Sequence, residues 1–149
     1  MRTLEQWFDE YSISHQNPIN KLIHYICVPA IYFSVVGLLL TVKLTFLDLQ
    51  MPIFENSAFL ILIFVMIFYF ILSASMAIKI AIFSVLCLLV NYQISLHFSL
   101  LVFSLLVFII AWIGQFYGHK IEGKKPSFLK DLQFLMIGPA WVIENLFSK

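Results

Sequence analysis

Two short polar segments carry three of the four histidines, side chains that could bind a metal ion together. The first begins at His15, reads HQNPINKLIH and ends at His24. Asn17-Pro18 is typical of a helix start, because Asn caps the first turn and Pro fits its first position. His15 is therefore expected in the turn before the helix, and His24 in its second turn. Residues nine apart on one unbroken helix would lie on opposite faces, so this break lets both imidazoles face one site.

The second segment covers residues 115–126 and reads QFYGHKIEGKKP. His119 and Glu122 are three residues apart and share one helical face, so they could offer a nitrogen and a carboxylate to one ion. Gly123 and Pro126 predict that the helix ends directly after this pair. Three imidazoles and one carboxylate would suit a redox-active or Lewis-acid metal. Two histidines and a carboxylate with open positions are typical of non-haem Fe(II).

The same residues also fit a purely structural role. Histidine is common at membrane interfaces, where its polar tip meets the headgroups, and a His-x-x-Glu pair recurs by chance in helices. Three of the four histidines nevertheless fall in these two segments, together with Asn17, Asn20 and Glu122. Asn20 also shares a helical face with His24, four residues later. The residues alone leave both interpretations open.

The composition places most of the chain in lipid. Of 149 residues, 62% are hydrophobic and only 11% are charged, whereas a soluble domain is about a quarter charged. So few charges could not cover the surface of a soluble globule of this size. The net charge of +1 offers no basic field that would favour nucleic acid. Residues 1–23 lack the apolar core of a cleavable signal peptide. Cys27 and Cys87 lie in apolar runs without a CxxC partner, which favours burial over a disulfide.

The apolar runs predict an all-α, polytopic membrane protein that forms a single domain over residues 1–149. A transmembrane helix needs about 20 apolar residues. The block at residues 57–90 is too long for one span, so it is expected to fold near Ser73, with Lys79 reaching the membrane surface. We therefore predict short interfacial helices at both ends and four transmembrane helices at about residues 25–42, 57–73, 75–91 and 94–114.

The basic residues place both polar segments on one side of the membrane, because basic loops prefer the cytoplasm. Four spans put Lys79 and the basic residues of both ends on that side together, whereas three spans would separate the ends. Both termini are therefore expected in the cytoplasm, at the endoplasmic reticulum in a eukaryote or the inner membrane in a bacterium. His97 then lies near the outer end of the last span, in packing or an interhelical hydrogen bond. Residues 128–146 are expected to be interfacial, with Gly138-Pro139 breaking a helix.

The two segments together resemble a known family. H-x-N-x-x-N-x-x-x-H before the first span and Q-F-x-G-H-x-x-E-G-x-x-P after the last are similar to the membrane family of 2-hydroxy fatty acid dioxygenases. Its founding fungal member is named for the metabolism of phytosphingosine to odd-numbered fatty acids. The likeness covers nearly the whole chain. The residues that match the two motifs are His15, Asn17, Asn20, His24, Gln115, Gly118, His119, Glu122, Gly123 and Pro126.

This resemblance implies an Fe(II)-dependent α-oxidation, in which a 2-hydroxy fatty acid and O2 give a fatty acid one carbon shorter and CO2. It assigns the iron to three ligands, His15, His24 and His119. Glu122 would be a further ligand or a base that orients an imidazole. Asn17 and Asn20 would support the ligands through hydrogen bonds. The substrate could chelate the iron through two oxygens, and its acyl chain would lie between helices or in membrane lipid.

Three other classes of function compete with the oxygenase. A hydrolase or lyase could use the same metal on a lipid, and iron content with O2 consumption would separate it from an oxygenase. A non-catalytic membrane adaptor or lipid-binding protein would use the histidines only to stabilise an interfacial cap, and it would bind no metal. A small transporter ranks last, because such a protein needs ionisable groups at mid-membrane and the predicted spans offer almost none.

Overall fold

The computed structural model describes residues 2–44, 51, 53–123 and 134–147. These residues form helices and no named strand, apart from an isolated bridge between Lys43 and Asn56. The all-α class is therefore confirmed. The chain divides into two compact units, one of Met1–Tyr32 with Ile109–Lys149 and one of Phe33–Phe108. The helices are α1 Leu4–Ile13, α2 Pro18–Leu40, α3 Ser57–Leu72, α4 Ala74–Ser95, α5 Leu100–Ile121 and α6 Ile137–Phe147.

Three of the described helices, rather than the expected four, are long and apolar enough to cross a membrane: α2, α4 and α5. Helix α3 has 16 residues, about 24 Å of helix, which is shorter than a hydrocarbon core of about 30 Å. The predicted bounds of the outer spans also need correction. Helix α2 begins seven residues before the expected residue 25, because its cap lies in the polar segment. Helix α5 begins at residue 100 rather than 94, because residues 96–99 form the connection after α4.

The predicted turn between α3 and α4 is confirmed, and it consists of the single residue Ser73. Ser73 is both the C-cap of α3 and the N-cap of α4. Its backbone N–H donates to the Tyr69 carbonyl at 2.8 Å, and its hydroxyl accepts from the Met76 N–H at 3.3 Å. Ser73 thus satisfies a carbonyl at the end of α3 and an N–H at the start of α4. Because one extended residue caps both helices, α4 follows α3 without a longer loop.

Local capping explains where the helices of the first unit begin and end. The Asn17 side chain accepts from the Ile19 N–H at 2.9 Å, which starts α2 as predicted. Gly123 has a φ of 74° directly after α5, so the predicted helix end there is confirmed. Gly138-Pro139 was expected to break a helix, and this prediction is wrong. Pro139 lies in the first turn of α6, where its missing N–H leaves no helical hydrogen bond unmade.

Two glycines on one face of α5 allow a close approach to α2 within the first unit. A Cβ atom on Gly114 would lie 2.6 Å from the Cys27 sulfur, and one on Gly118 would overlap the Asn20 side-chain oxygen. Small residues four apart are typical of closely packed membrane helices. The Cys27 thiol is free, as predicted. This approach brings the last turn of α5, with His119, beside the first turns of α2.

Several expectations lie outside the described residues. They include Pro126, which ends the second motif, and residues 128–133 of the expected interfacial segment. The placement of both termini in the cytoplasm requires the shorter helix α3 to cross the membrane as well, and it stays a prediction. Reporter fusions at Met1 and Lys149 should indicate the same side of the membrane if it holds.

Candidate metal centre

Three histidines from separate parts of the first unit meet in its interior. His15 lies in the turn between α1 and α2, His24 in the second turn of α2 and His119 in the last turn of α5. One nitrogen from each lies within 4.8 Å of the other two, so the three could surround a single ion. Their exposed fractions are 2%, 1% and 4%. Nitrogen ligands held together in a site that excludes water are what a transition-metal ion needs.

Backbone carbonyls set the direction in which two of the imidazoles offer a lone pair. Nδ1 of His15 lies 2.6 Å from the Tyr11 carbonyl oxygen, and Nδ1 of His24 lies 2.9 Å from the Asn20 carbonyl oxygen. A carbonyl only accepts, so each Nδ1 carries a hydrogen and donates it, which leaves Nε2 as the nitrogen of a neutral ring that can bind a metal. Nε2 of His15 is buried without a hydrogen-bond partner among the described residues. Histidines that bind metals are held in this way, with the far nitrogen donating to a carbonyl or carboxylate.

The surroundings of His15 keep its imidazole neutral. Burial lowers its pKa from the ordinary 6.5 to about 4, the bond to the Tyr11 carbonyl opposes this change, and the nearby His119 adds to it. At neutral pH the ring therefore carries one hydrogen, on Nδ1. A neutral imidazole is the form that binds a metal, so this site needs no proton release from His15 before binding.

The Glu122 carboxylate lies at the start of α2 and is not part of the group of nitrogens. One oxygen accepts from the Gln16 N–H at 2.8 Å, and the other from the Asn17 N–H at 2.9 Å and the Asn20 side-chain amide at 2.9 Å. Burial opposes ionisation, yet these hydrogen bonds and the nearby His15 hold the pKa of Glu122 below its ordinary value. A negative charge is favourable at a helix N-terminus. The carboxylate thus joins the end of α5 to the turn that carries His15.

Asn20 contacts all three segments that carry the histidines. Its side-chain amide donates to the Ser14 carbonyl at 3.2 Å as well as to Glu122, and its backbone carbonyl accepts from His24. Its side-chain oxygen is buried and has no hydrogen-bond partner among the described residues. Asn17 caps α2 instead and has no described contact with an imidazole. His97 is exposed between α4 and α5, in the second unit, and does not belong to the histidine group.

Comparison with known proteins identifies the family of the chain. The chain matches, over residues 1–149, the family described as 2-hydroxy-palmitic acid dioxygenase Mpo1-like. The chain belongs to the Mpo1-like family. It is 33% identical over 145 residues to the 2-hydroxy-palmitic acid dioxygenase MPO1 of Saccharomyces cerevisiae, which covers 93% of this chain and 76% of the yeast protein. No solved structure matches the chain. The family resemblance inferred from the two motifs is therefore confirmed.

The histidine group has two aromatic neighbours that were not predicted from the sequence. The Tyr11 ring stacks on the His15 ring, with centroids 4.1 Å apart and planes within 8°. Trp141 of α6 lies 5.6 Å from the same imidazole and donates from its indole N–H to the Ser12 hydroxyl at 3.0 Å. Tyr11 could have been noticed because it precedes His15 by one helical turn. Nothing in the sequence near Trp141 indicates this contact.

The metal-free Mpo1-like protein is expected to lose stability as the pH falls from about 6.5 to about 4. In this window the unfolded chain protonates His15, whereas the buried imidazole, with its pKa near 4, does not. The neutral His15 ring contributes its full stabilisation above pH 6.5. Its pKa falls from 6.5 to about 4 on folding, so the stability lost at low pH is about 3 kcal/mol, at 1.36 kcal/mol per pKa unit. Thermal unfolding of the apoprotein in detergent across this range measures the loss. His15→Gln should flatten the dependence and His97→Ala should not; equal slopes in all three proteins would contradict the assignment.

Replacing Glu122 by glutamine is expected to weaken metal binding about 10- to 100-fold without abolishing it. The amide keeps one acceptor oxygen but turns an NH2 group towards donors, so an N–H of Gln16 or Asn17 loses its partner. Competition with a chromophoric chelator measures the affinity. Glu5→Gln, which changes an exposed carboxylate on α1, is the matched control and should remain within about twofold of wild type. A loss as complete as that from removing a histidine would make Glu122 a ligand.

Proposed function

We propose that this chain is an Fe(II)-dependent dioxygenase that shortens 2-hydroxy fatty acids by one carbon. The observation that carries the proposal is the buried group of His15, His24 and His119. Membership of the Mpo1-like family supports it, since the yeast relative is named a 2-hydroxy-palmitic acid dioxygenase. The helices long enough to cross a membrane are also compatible with a lipid substrate.

The donor set of this chain fits iron. Three buried imidazoles that meet from one turn and two helices fill part of a coordination shell and leave positions for other ligands. Iron(II) bound there would supply the electrons that activate dioxygen. A 2-hydroxy carboxylate offers two oxygens to the positions that the protein leaves open. We assign His15, His24 and His119 to the metal and give Glu122 and Asn20 a positioning role, because their polar atoms contact backbone groups and one another.

The aromatic residues and burial of the site suit oxygen chemistry. Tyr11 covers one face of the His15 ring, and Trp141 lies beside it, so water has little access to this ligand. Exclusion of water strengthens the interactions within a site and prevents side reactions of reactive intermediates. These side chains therefore protect the ligand set as well as packing the first unit.

The overall reaction balances without an added reductant. One 2-hydroxy acid, RCH(OH)COOH, and one O2 give RCOOH, CO2 and one water. Both the carbon that leaves as CO2 and the carbon that carries the hydroxyl are oxidised, and both oxygen atoms are reduced. We therefore expect turnover with only the acid, O2 and the metal-loaded protein.

Product analysis by mass tests the proposed function. Purified protein loaded with Fe(II) should convert 2-hydroxyhexadecanoic acid to pentadecanoic acid in air, with one O2 consumed per product. A chelator or removal of O2 should reduce the rate to the background of the triple variant His15→Ala, His24→Ala and His119→Ala. Turnover without O2 would favour a hydrolase or lyase instead. Iron-loaded protein that leaves several 2-hydroxy acids unchanged would favour a non-catalytic lipid-binding role.

A further inference from the structure

A small cavity lies beside Tyr11, the residue that stacks on His15, and its lining includes a glutamine that the proposed function has not used. It has a volume of about 20 Å³ and is lined by residues of α1, α2, α5 and α6 together with residues just before α6. Val28 and Ile31 of α2 give it an apolar wall, and Gln115 of α5 contributes its only side-chain amide. All of these residues belong to the first unit.

The Gln115 side chain is mostly buried where it lines this cavity. The residue is only 6% exposed, although glutamine is a side chain that proteins usually leave in water. The structure describes no hydrogen bond from its amide to another residue, so its NH2 group is available to donate to a ligand atom in the cavity.

The helical register places Gln115 on the face of α5 that carries His119. Gln115 precedes His119 by four residues on α5, so the two side chains share a face about one turn apart. Val28 follows His24 by four residues on α2 in the same way. The cavity is therefore lined by residues one helical turn away from His119 on α5 and from His24 on α2.

The size and lining of the cavity indicate which kind of ligand group could bind there. A volume of about 20 Å³ holds one small polar group and no alkyl chain. Within the described part of the chain, the lining residues include no Lys or Arg, and an uncharged group such as the Gln115 NH2 can serve as the donor to an anionic oxygen.

We propose that Gln115 is a substrate-positioning residue, whose side-chain NH2 donates a hydrogen bond to the carboxylate of the 2-hydroxy acid at the metal. This inference rests on the proposed function. It assigns the selection of an acid over an uncharged lipid to a residue that binds no metal.

Ligand binding without turnover tests the assignment. Protein loaded with Co(II), which replaces iron without oxidising the ligand, is titrated with 2-hydroxyhexadecanoic acid and with hexadecane-1,2-diol, and binding is measured by visible absorption. The diol keeps two oxygens but has no carboxylate. Gln115→Leu should raise the Kd of the acid about 10-fold or more, as for a lost hydrogen bond to a charged group. The Kd of the diol should change less than about twofold, as expected where no bond is lost.

Two further variants keep the test decisive. Gln115→Glu nearly preserves shape and should also weaken binding of the acid, because two carboxylates would repel. Gln93→Leu, at an exposed glutamine of α4, should change neither ligand. All variants should bind as much Co(II) as wild type, which shows that the site is folded. Equal losses for acid and diol, or no loss for the acid, would overturn the role of Gln115. Wild-type protein that binds Co(II) but no 2-hydroxy acid would overturn the proposed function itself.

Discussion

Replacing His24 with alanine is expected to reduce the affinity for Fe(II) at least about 100-fold and to abolish turnover. Replacing a residue that only supports a ligand typically lowers metal affinity about 10- to 100-fold. Removing the ligand itself should therefore lower it by at least the larger factor. His24 is held in a fixed orientation by the Asn20 carbonyl, and no described side chain is placed to replace its nitrogen. Anaerobic equilibrium dialysis against buffered Fe(II) measures the affinity.

The fourth histidine provides a matched control for this experiment. His97→Ala removes the same side chain from an exposed connection in the second unit, so Fe(II) affinity should stay within about twofold of wild type. His15→Ala and His119→Ala should behave like His24→Ala. Equal losses of metal in His97→Ala and His24→Ala would contradict the assignment of the three ligands.

Hexadecanoic acid is expected to be at least about 100-fold poorer than 2-hydroxyhexadecanoic acid in kcat/KM. A site that binds a substrate hydroxyl rejects the analogue without it by factors up to about 10⁴–10⁵, because the polar partners are left unmatched. The unsubstituted acid lacks one of the two oxygens proposed to reach the metal. Its shortening by one carbon also consumes three oxygen atoms per molecule instead of two, so one O2 does not complete the reaction.

Parallel assays with the two acids at equal chain length measure this difference. Each rate is followed by mass analysis of pentadecanoic acid, because O2 consumption alone would include unproductive oxidation. The chain length is held constant so that binding of the alkyl chain cancels in the comparison. Comparable rates for the two acids would contradict the chelating role of the hydroxyl and remove the main reason for choosing a 2-hydroxy acid as substrate.

Features that depend on local chemistry could be predicted from the sequence. Asn17-Pro18 starts α2, Ser73 separates α3 from α4 and Gly123 ends α5, because each is decided by a residue and its neighbours within one turn. The break before α2 also predicted that His15 and His24 could face one site, and their ring centroids are 4.2 Å apart.

Features that depend on how the helices pack against one another could not be predicted from the sequence. From the sequence, Glu122 could be a ligand or a supporting group. In the structure α5 packs closely against α2 at Gly118, and the Glu122 carboxylate lies at the start of α2. The contact of Trp141 with His15 joins residues 126 positions apart, so no local pattern indicates it. The bounds of α3 were predicted to within one residue, but its 16 residues are too few for the full span that was expected.

Metal analysis of protein purified without O2 and without added metal tests whether the three histidines hold iron. We expect about one iron per chain in wild type and in His97→Ala, and almost none in the triple variant His15→Ala, His24→Ala and His119→Ala, with helix content by circular dichroism unchanged in all three. Wild-type protein without iron that also fails to take up Fe(II), or a triple variant that keeps as much iron as wild type, would contradict this expectation.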